Sequence, residues 1–488
     1  MQFIVVLAMA LLLGCSPNNQ EVVVEDARQI PNGPITTPPP LNVPDNPDNI
    51  GLEILEDQIL LDLNTLSDND RLNARYLVGC NYYNEGQKDL SDIRAGIDVG
   101  INSISTETQL ERVAAIGVGS CIYRVDIDSY GITRGEWQKI EGELLLDFVT
   151  ESVRGQQIQF LTQALKPYVF ASDFFTTTTQ ADALTVNNGL YYDLVEQPAK
   201  LADFFASIGV NVQAEFDAED AVLAGFSASQ IALQKTRSIQ VLESDDGFVI
   251  TTYDSALSDT DSHFVNPFPK EATIAQGVRR SNKIFKFTAQ EHIYNLPNGM
   301  LGYRLNGAAG IAETVAPNDV VINLNATASG LDPSIFLGNC AHCHSTLNPM
   351  IQFTDQLSSH ISNQGAFDAL EKELSDVFFN QTIMEGRLRR VESEYQDSLR
   401  RLGASDPGDQ DSLGKNMITP FRQEMDANQV AGYLLMPLQT FVQRLRGSNL
   451  SSQIFGNLLS GGTVGLGVLS ANFDQLVEDV GAYKDTSL

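Results

Sequence analysis

The chain runs to 488 residues with 43% apolar side chains, enough to bury the cores of two or three domains, so a disordered or fibrous protein is excluded. Only 31 Lys and Arg stand against 62 Asp and Glu, a formal charge of −31, and such a surface repels phosphate backbones, which excludes nucleic acid as an expected partner. His and Cys number five each, few for this length, so any cluster joining the two types stands out.

Residues 1–14 read as a lipoprotein signal peptide. Phe3 to Leu13 are apolar over a length suited to export rather than to a mature bilayer span, and Leu12-Leu13-Gly14-Cys15 resembles a bacterial lipobox. That resemblance implies cleavage before Cys15 and acylation of this residue, leaving the mature protein held to a membrane by lipid chains. Ser16, where Asp would retain the protein at an inner membrane, implies sorting to an outer membrane facing the periplasm or the cell surface. Residues 15–50 carry Pro17, Pro31, Pro34, Pro38, Pro39, Pro40, Pro44 and Pro47 among Asn, Asp and Thr, a composition expected to form a disordered tether.

Residues 51–330 are expected to form an α+β domain. Leu52, Leu55, Ile59 and Leu63 recur at helical spacing, and Leu110 to Ile116 predicts a second short amphipathic helix after Thr106 and Thr108. Cys121, Tyr123, Val125 and Ile127 then alternate with Ile122, Arg124, Asp126 and Asp128, which predicts a half-buried strand, a turn at Tyr130-Gly131 and a helix around residues 137–148. Further β-prone runs cover residues 248–253, 284–287 and 320–324.

Residues 331–488 are expected to form a mainly α-helical domain. From Phe367 through Leu374, Met384, Leu388, Val391 and Tyr395 to Leu402 the apolar residues make one stripe that stops at Gly403. Pro407-Gly408 reads as a turn, residues 431–446 as a helix, Gly461, Gly462, Gly465 and Gly467 as a loop, and residues 472–480 as a last helix.

The chemistry points to Cys340-Ala341-His342-Cys343-His344. Two thiols three positions apart can form thioethers to the vinyl groups of one haem while the adjoining imidazole supplies an axial nitrogen, so Cys340, Cys343 and His344 are expected to attach one covalent haem c, making the α-helical residues 331–488 a cytochrome c-type haem domain. A thioredoxin-like reading lacks the strand before a helix start, and a zinc site lacks a second ligand pair nearby. Met350 is the first candidate for the sixth iron position, with His360, Met384, Met417 and Met436 as alternatives. Cys80 and Cys121 form an even remainder expected to pair in a disulfide in an oxidising compartment. Arg387, Arg389, Arg390, Arg400 and Arg401 read as a face laced with Glu385, Glu392, Glu394 and Asp397, with contact to haem propionates or an acidic partner as the alternative.

Several stretches resemble the large planctomycete- and myxobacterial-type exported c-type cytochrome-domain proteins. They begin at Arg75-Tyr76-Leu77, Tyr123-Arg124-Val125-Asp126 and Trp137, and continue through Tyr192-Asp193-Leu194 and Ala224-Gly225-Phe226. The likeness is strongest in Ile293-Tyr294-Asn295-Leu296-Pro297-Asn298-Gly299 with Gly302-Tyr303, and it ends with Met350-Ile351, Asp355-Gln356 and Gly461-Gly462-Thr463-Val464. The resemblance strengthens Met350 as an iron ligand, since such proteins usually carry a Met shortly after the haem His. Two departures stand out: Gly338-Asn339 replaces an Asn-Gly approach to the motif, and Thr236-Arg237-Ser238 lacks a His that usually follows the Arg. The expected function is single-electron exchange with an unidentified redox protein on the exported side of a membrane. The alternatives are a haem enzyme or sensor with an open sixth position, for which His292 or Arg237 could serve, and a scaffold in which haem is structural.

Overall fold

The computed structural model describes residues 51–80, 90–117, 120–144, 146, 152–179, 190–226, 236–254, 263–313, 354–404, 424–448 and 451–483. Their first sheet has four strands in the order β2-β3-β1-β4: β1 (Ala74–Val78), β2 (Ala114–Ala115), β3 (Ile122–Asp126) and β4 (Tyr168–Phe170). β1 runs antiparallel to β3 and parallel to β4. Successive strand residues point to opposite faces, and here both faces are covered. Tyr76, Val78, Ile122, Tyr168 and Phe170 enter one core, whereas Leu77, Tyr123, Val125 and Val169 enter another.

That arrangement explains a departure from the expected half-buried strand. Ile122, placed on the supposed solvent face, is as fully buried as Tyr123. The covering layer includes helix Leu52–Thr65, whose Leu55, Ile59 and Leu63 turn inward at the spacing read from the sequence.

The second sheet is antiparallel with five strands in the order β11-β10-β7-β6-β5. It comprises β5 (Val222–Phe226), β6 (Arg237–Ser244), β7 (Gly247–Asp254), β10 (Ala289–Asn295) and β11 (Leu301–Gly307), with a small hairpin of β8 (Ile274–Ala275) and β9 (Val278–Arg279) beside it in sequence. Between β10 and β11 the chain turns at Pro297-Asn298-Gly299. Gly299 takes φ 81°, and a Cβ there would lie 2.7 Å from Ser398 Oγ, so this turn requires glycine on both counts. One face of the sheet meets helix Leu201–Ser207, whose Phe204 and Phe205 rings contact His292 and Tyr294. The other meets helix Gln381–Arg401, where the Arg387 and Arg390 guanidinium groups lie over the Phe248 ring.

An α+β body followed by a separate helical cytochrome c-type domain is therefore not what these residues form. Leu374, Phe378, Met384, Leu388 and Leu399 share their core with the second sheet, and Val430, Phe441, Leu445, Leu476 and Val477 share theirs with Leu55, Ile59 and Tyr76. The helices are present, but their apolar stripes are buried against strands from the first part of the chain. Local periodicity reports that a stripe needs a partner and not which partner it finds.

Smaller corrections follow the same logic. Leu110 to Ile116 forms no helix and contains β2, while a helix lies just upstream at Leu90–Asn102. The long stripe is two helices, Ala369–Phe378 and Gln381–Arg401, separated at Phe379 and restarted by Asn380, whose side chain accepts from the Ile383 N–H at 3.1 Å. Helices Ala427–Tyr433 and Leu438–Gly447 replace one continuous helix: Leu435 between them takes φ 50°, outside the helical region, and Pro437 stands at the N-cap of the second. Residues 284–287 make one bridge, Phe268 to Ile284, rather than a strand, and 320–324 lie outside the described residues.

Candidate functional site

Cys340, Cys343, His344, Met350, Cys15 and the alternative Met417 all lie outside the described residues. The structure does describe the chain on both sides of the haem motif. Upstream, Glu313 is fixed to β11: its N–H donates to the Leu305 carbonyl at 2.9 Å and its carbonyl accepts from the Tyr192 hydroxyl at 2.8 Å. Downstream, Asp355 is fixed to β5, accepting from the Gly225 N–H at 3.0 Å and from the Leu357 N–H at 3.0 Å. Burial raises the Asp355 carboxyl pKa above its ordinary range, against the lowering effect of these N–H donors. β11 and β5 are the two edges of the second sheet, so these anchors are four strand spacings apart, about 19 Å.

The other proposed iron ligands divide by burial. Met384 and Met436 are packed in the two cores. His360, on helix Leu357–Asn363, is half-buried between the Phe264 and Phe367 rings and follows closely on Asp355. His292 is buried beneath Phe204 and Phe205 with Nδ1 2.9 Å from Thr251 Oγ1, and burial, reinforced by the Arg304 charge, pushes its pKa down to about 3. Arg237 makes a bidentate pair with Asp254 at 2.6 and 2.8 Å. In these positions His292 and Arg237 serve the sheet interior.

Cys80 and Cys121 are bonded to each other, linking the end of β1 to the entry of β3, and both are buried. Their thiols are thus spent. Neither can complete a four-cysteine metal site with Cys340 and Cys343, so the donors within the motif itself are two thiols and the imidazoles of His342 and His344. The arginines of helix Gln381–Arg401 are largely engaged: Arg389 with Glu385, Arg390 with Glu394, Arg400 with Asp397, and Arg387 with Glu243 and the Val241 carbonyl. Among the described residues no group of three or more His, Cys, Asp or Glu could hold a metal ion, and no helix is long and apolar enough to cross a membrane.

Reading the sequence missed a polar face inside the second sheet. Ser238 Oγ meets His263 Nδ1 at 2.7 Å, Thr251 meets His292, the Tyr253 hydroxyl donates to Gln240 Oε1 at 2.7 Å, and Arg304 Nε donates to Asn306 Oδ1 at 2.8 Å. The available sign was alternation: Ser238 and Gln240, Thr251 and Tyr253, Gln290 and His292, Arg304 and Asn306 each stand two apart and share one face through the strand register. No family model matches the chain, and no curated protein or solved structure matches it.

Proposed function

We propose that this protein is an exported, lipid-tethered monohaem c-type cytochrome that passes single electrons to or from a redox protein. The observation that carries the reading is Cys340-Ala341-His342-Cys343-His344, the only place in the chain where two cysteines and a histidine stand together. The buried Cys80–Cys121 disulfide supports an oxidising compartment. Cys340 and Cys343 would hold the haem by thioethers and His344 would bind the iron, with Met350 as the proposed opposite ligand. When bound, the group supplies a one-electron iron couple whose potential depends on its axial ligands and surroundings. Glu313 and Asp355, fastened to opposite sheet edges, fix both ends of the stretch that bears these residues.

A pyridine haemochrome spectrum of protein made with cytochrome c maturation machinery tests this directly. One haem c per chain is expected, with loss of covalent attachment in the Cys340→Ala, Cys343→Ala double variant and a single reversible low-spin couple on titration. A polypeptide of unmodified mass overturns the attachment. An iron that binds CO or cyanide rapidly and is spectrally unchanged by Met350→Ala overturns the electron-carrier assignment in favour of an open sixth position.

A further inference from the structure

A cleft of about 1210 Å³ opens on the polar face of the second sheet, between helix Leu201–Ser207 and the segment around Pro269 to Phe287. This is somewhat larger than the pockets of about 300–1,000 Å³ that usually hold small organic ligands. Part of its wall is aromatic: the Tyr253 ring centroid lies 4.7 Å from that of Phe285 and 5.3 Å from that of Phe287. Such a wall favours a flat ring stacked or set edge-on against it.

The polar atoms at this wall are not all satisfied. Tyr253 gives its only hydroxyl proton to Gln240 Oε1, and Gln290 lies directly across the β7–β10 pair from it. That proton is therefore not available to the Gln290 amide oxygen. This oxygen has no protein donor, although Gln290 is only 4% exposed and lines the cleft. An acceptor left in this state is stabilised by any ligand that brings an O–H or N–H to it. Lys200 and Lys270 also line the cleft, exposed and without an ion-pair partner among the described residues. Glu271 is the carboxylate in the same lining, so the cleft carries an excess of positive charge within a chain of net charge −31.

The geometry points to a binding site for an aromatic anion whose ring carries a hydrogen-bond donor, with the ring against Tyr253, Phe285 and Phe287, the donor on Gln290 and the anion toward Lys200 and Lys270. This site is independent of the haem reading, and none of its residues belongs to the haem motif.

Calorimetric titration of the full chain with 6-hydroxy-2-naphthoate tests it, with 2-naphthoate lacking the donor and 2,6-dihydroxynaphthalene lacking the anion as comparisons. The hydroxynaphthoate is expected to bind about tenfold more tightly than either. Gln290→Leu should erase the advantage of the hydroxyl while leaving 2-naphthoate binding unchanged. Lys200→Gln with Lys270→Gln should weaken both acids and not the diol. Ala206→Trp, at an exposed helix position lining the cleft, should block all three, and it keeps the test decisive if the Gln290 variant unfolds. Absence of binding by the native-like wild type, binding unaffected by Ala206→Trp, or a hydroxyl preference that survives Gln290→Leu overturns the proposal.

Discussion

His292 and His263 are buried imidazoles held neutral. Desolvation pushes His292 down to about 3 and His263 down to about 4. An imidazole in the unfolded chain binds its proton near pH 6.5, so below that value the unfolded state takes up protons that the native state refuses. Each residue therefore contributes stability that is complete above pH 6.5 and is lost as the solution is acidified. His292→Gln removes one such site: between pH 7 and pH 5 the wild type should lose about 2 kcal/mol more unfolding free energy than the variant, as read by urea denaturation at each pH. Equal losses in the two proteins would mean that His292 takes up its proton in the fold as readily as in the unfolded chain. Asp98 acts in the opposite sense. Burial pushes its carboxyl up to about 6 despite the Arg112 contact at 2.9 Å, so its contribution is present at acid pH and declines as the pH rises through 6. This is why the comparison is made against a variant and not on the wild-type curve alone.

The disulfide closes a loop of 41 residues and holds the exit of β1 beside the entry to β3. On the chain-entropy account a loop of that size contributes about 4 kcal/mol, so Cys80→Ala with Cys121→Ala should lower the unfolding free energy by roughly that amount. A loss under about 1 kcal/mol would show that the bond does not constrain the unfolded chain. The elements themselves were legible in the sequence to unequal depth. Helix Leu52–Thr65, strand β3 and helix Phe473–Val480 follow from apolar spacing that tertiary contacts leave in place. Leu110 to Ile116 reads as helical because its apolar residues are suitably spaced, yet Ala114 and Ala115 pair with Arg124 and Tyr123 and the ladder decides the conformation. The break at Phe379 was hidden because the apolar stripe continues through it, and Asn380 signals a new start only once its cap bond to Ile383 is seen. For the proposed sites, the haem motif declares itself through five consecutive residues. The cleft around Gln290 depends on strand register and the direction of one hydroxyl proton, neither of which one sequence displays.

Considered as a whole, the molecule buries its C-terminal helices against strands made much earlier in the chain. A fragment of residues 331–488 expressed alone should accordingly fail to fold cooperatively, since Leu388, Val391, Phe441 and Leu476 would lose the sheet and helix surfaces that cover them. Circular dichroism and denaturant titration read this, and a sharp cooperative transition in the isolated fragment would refute it.

Placing the first sheet as a wall between two interiors has a consequence for biosynthesis. The helix that begins at Leu52 shares its interior with residues as late as Ala482, so the earliest folded turn stays half-finished until the ribosome has nearly completed its work. Until then, the nascent polypeptide carries a greasy stripe with nothing to lie on, and a chaperone suits that interval better than the finished product.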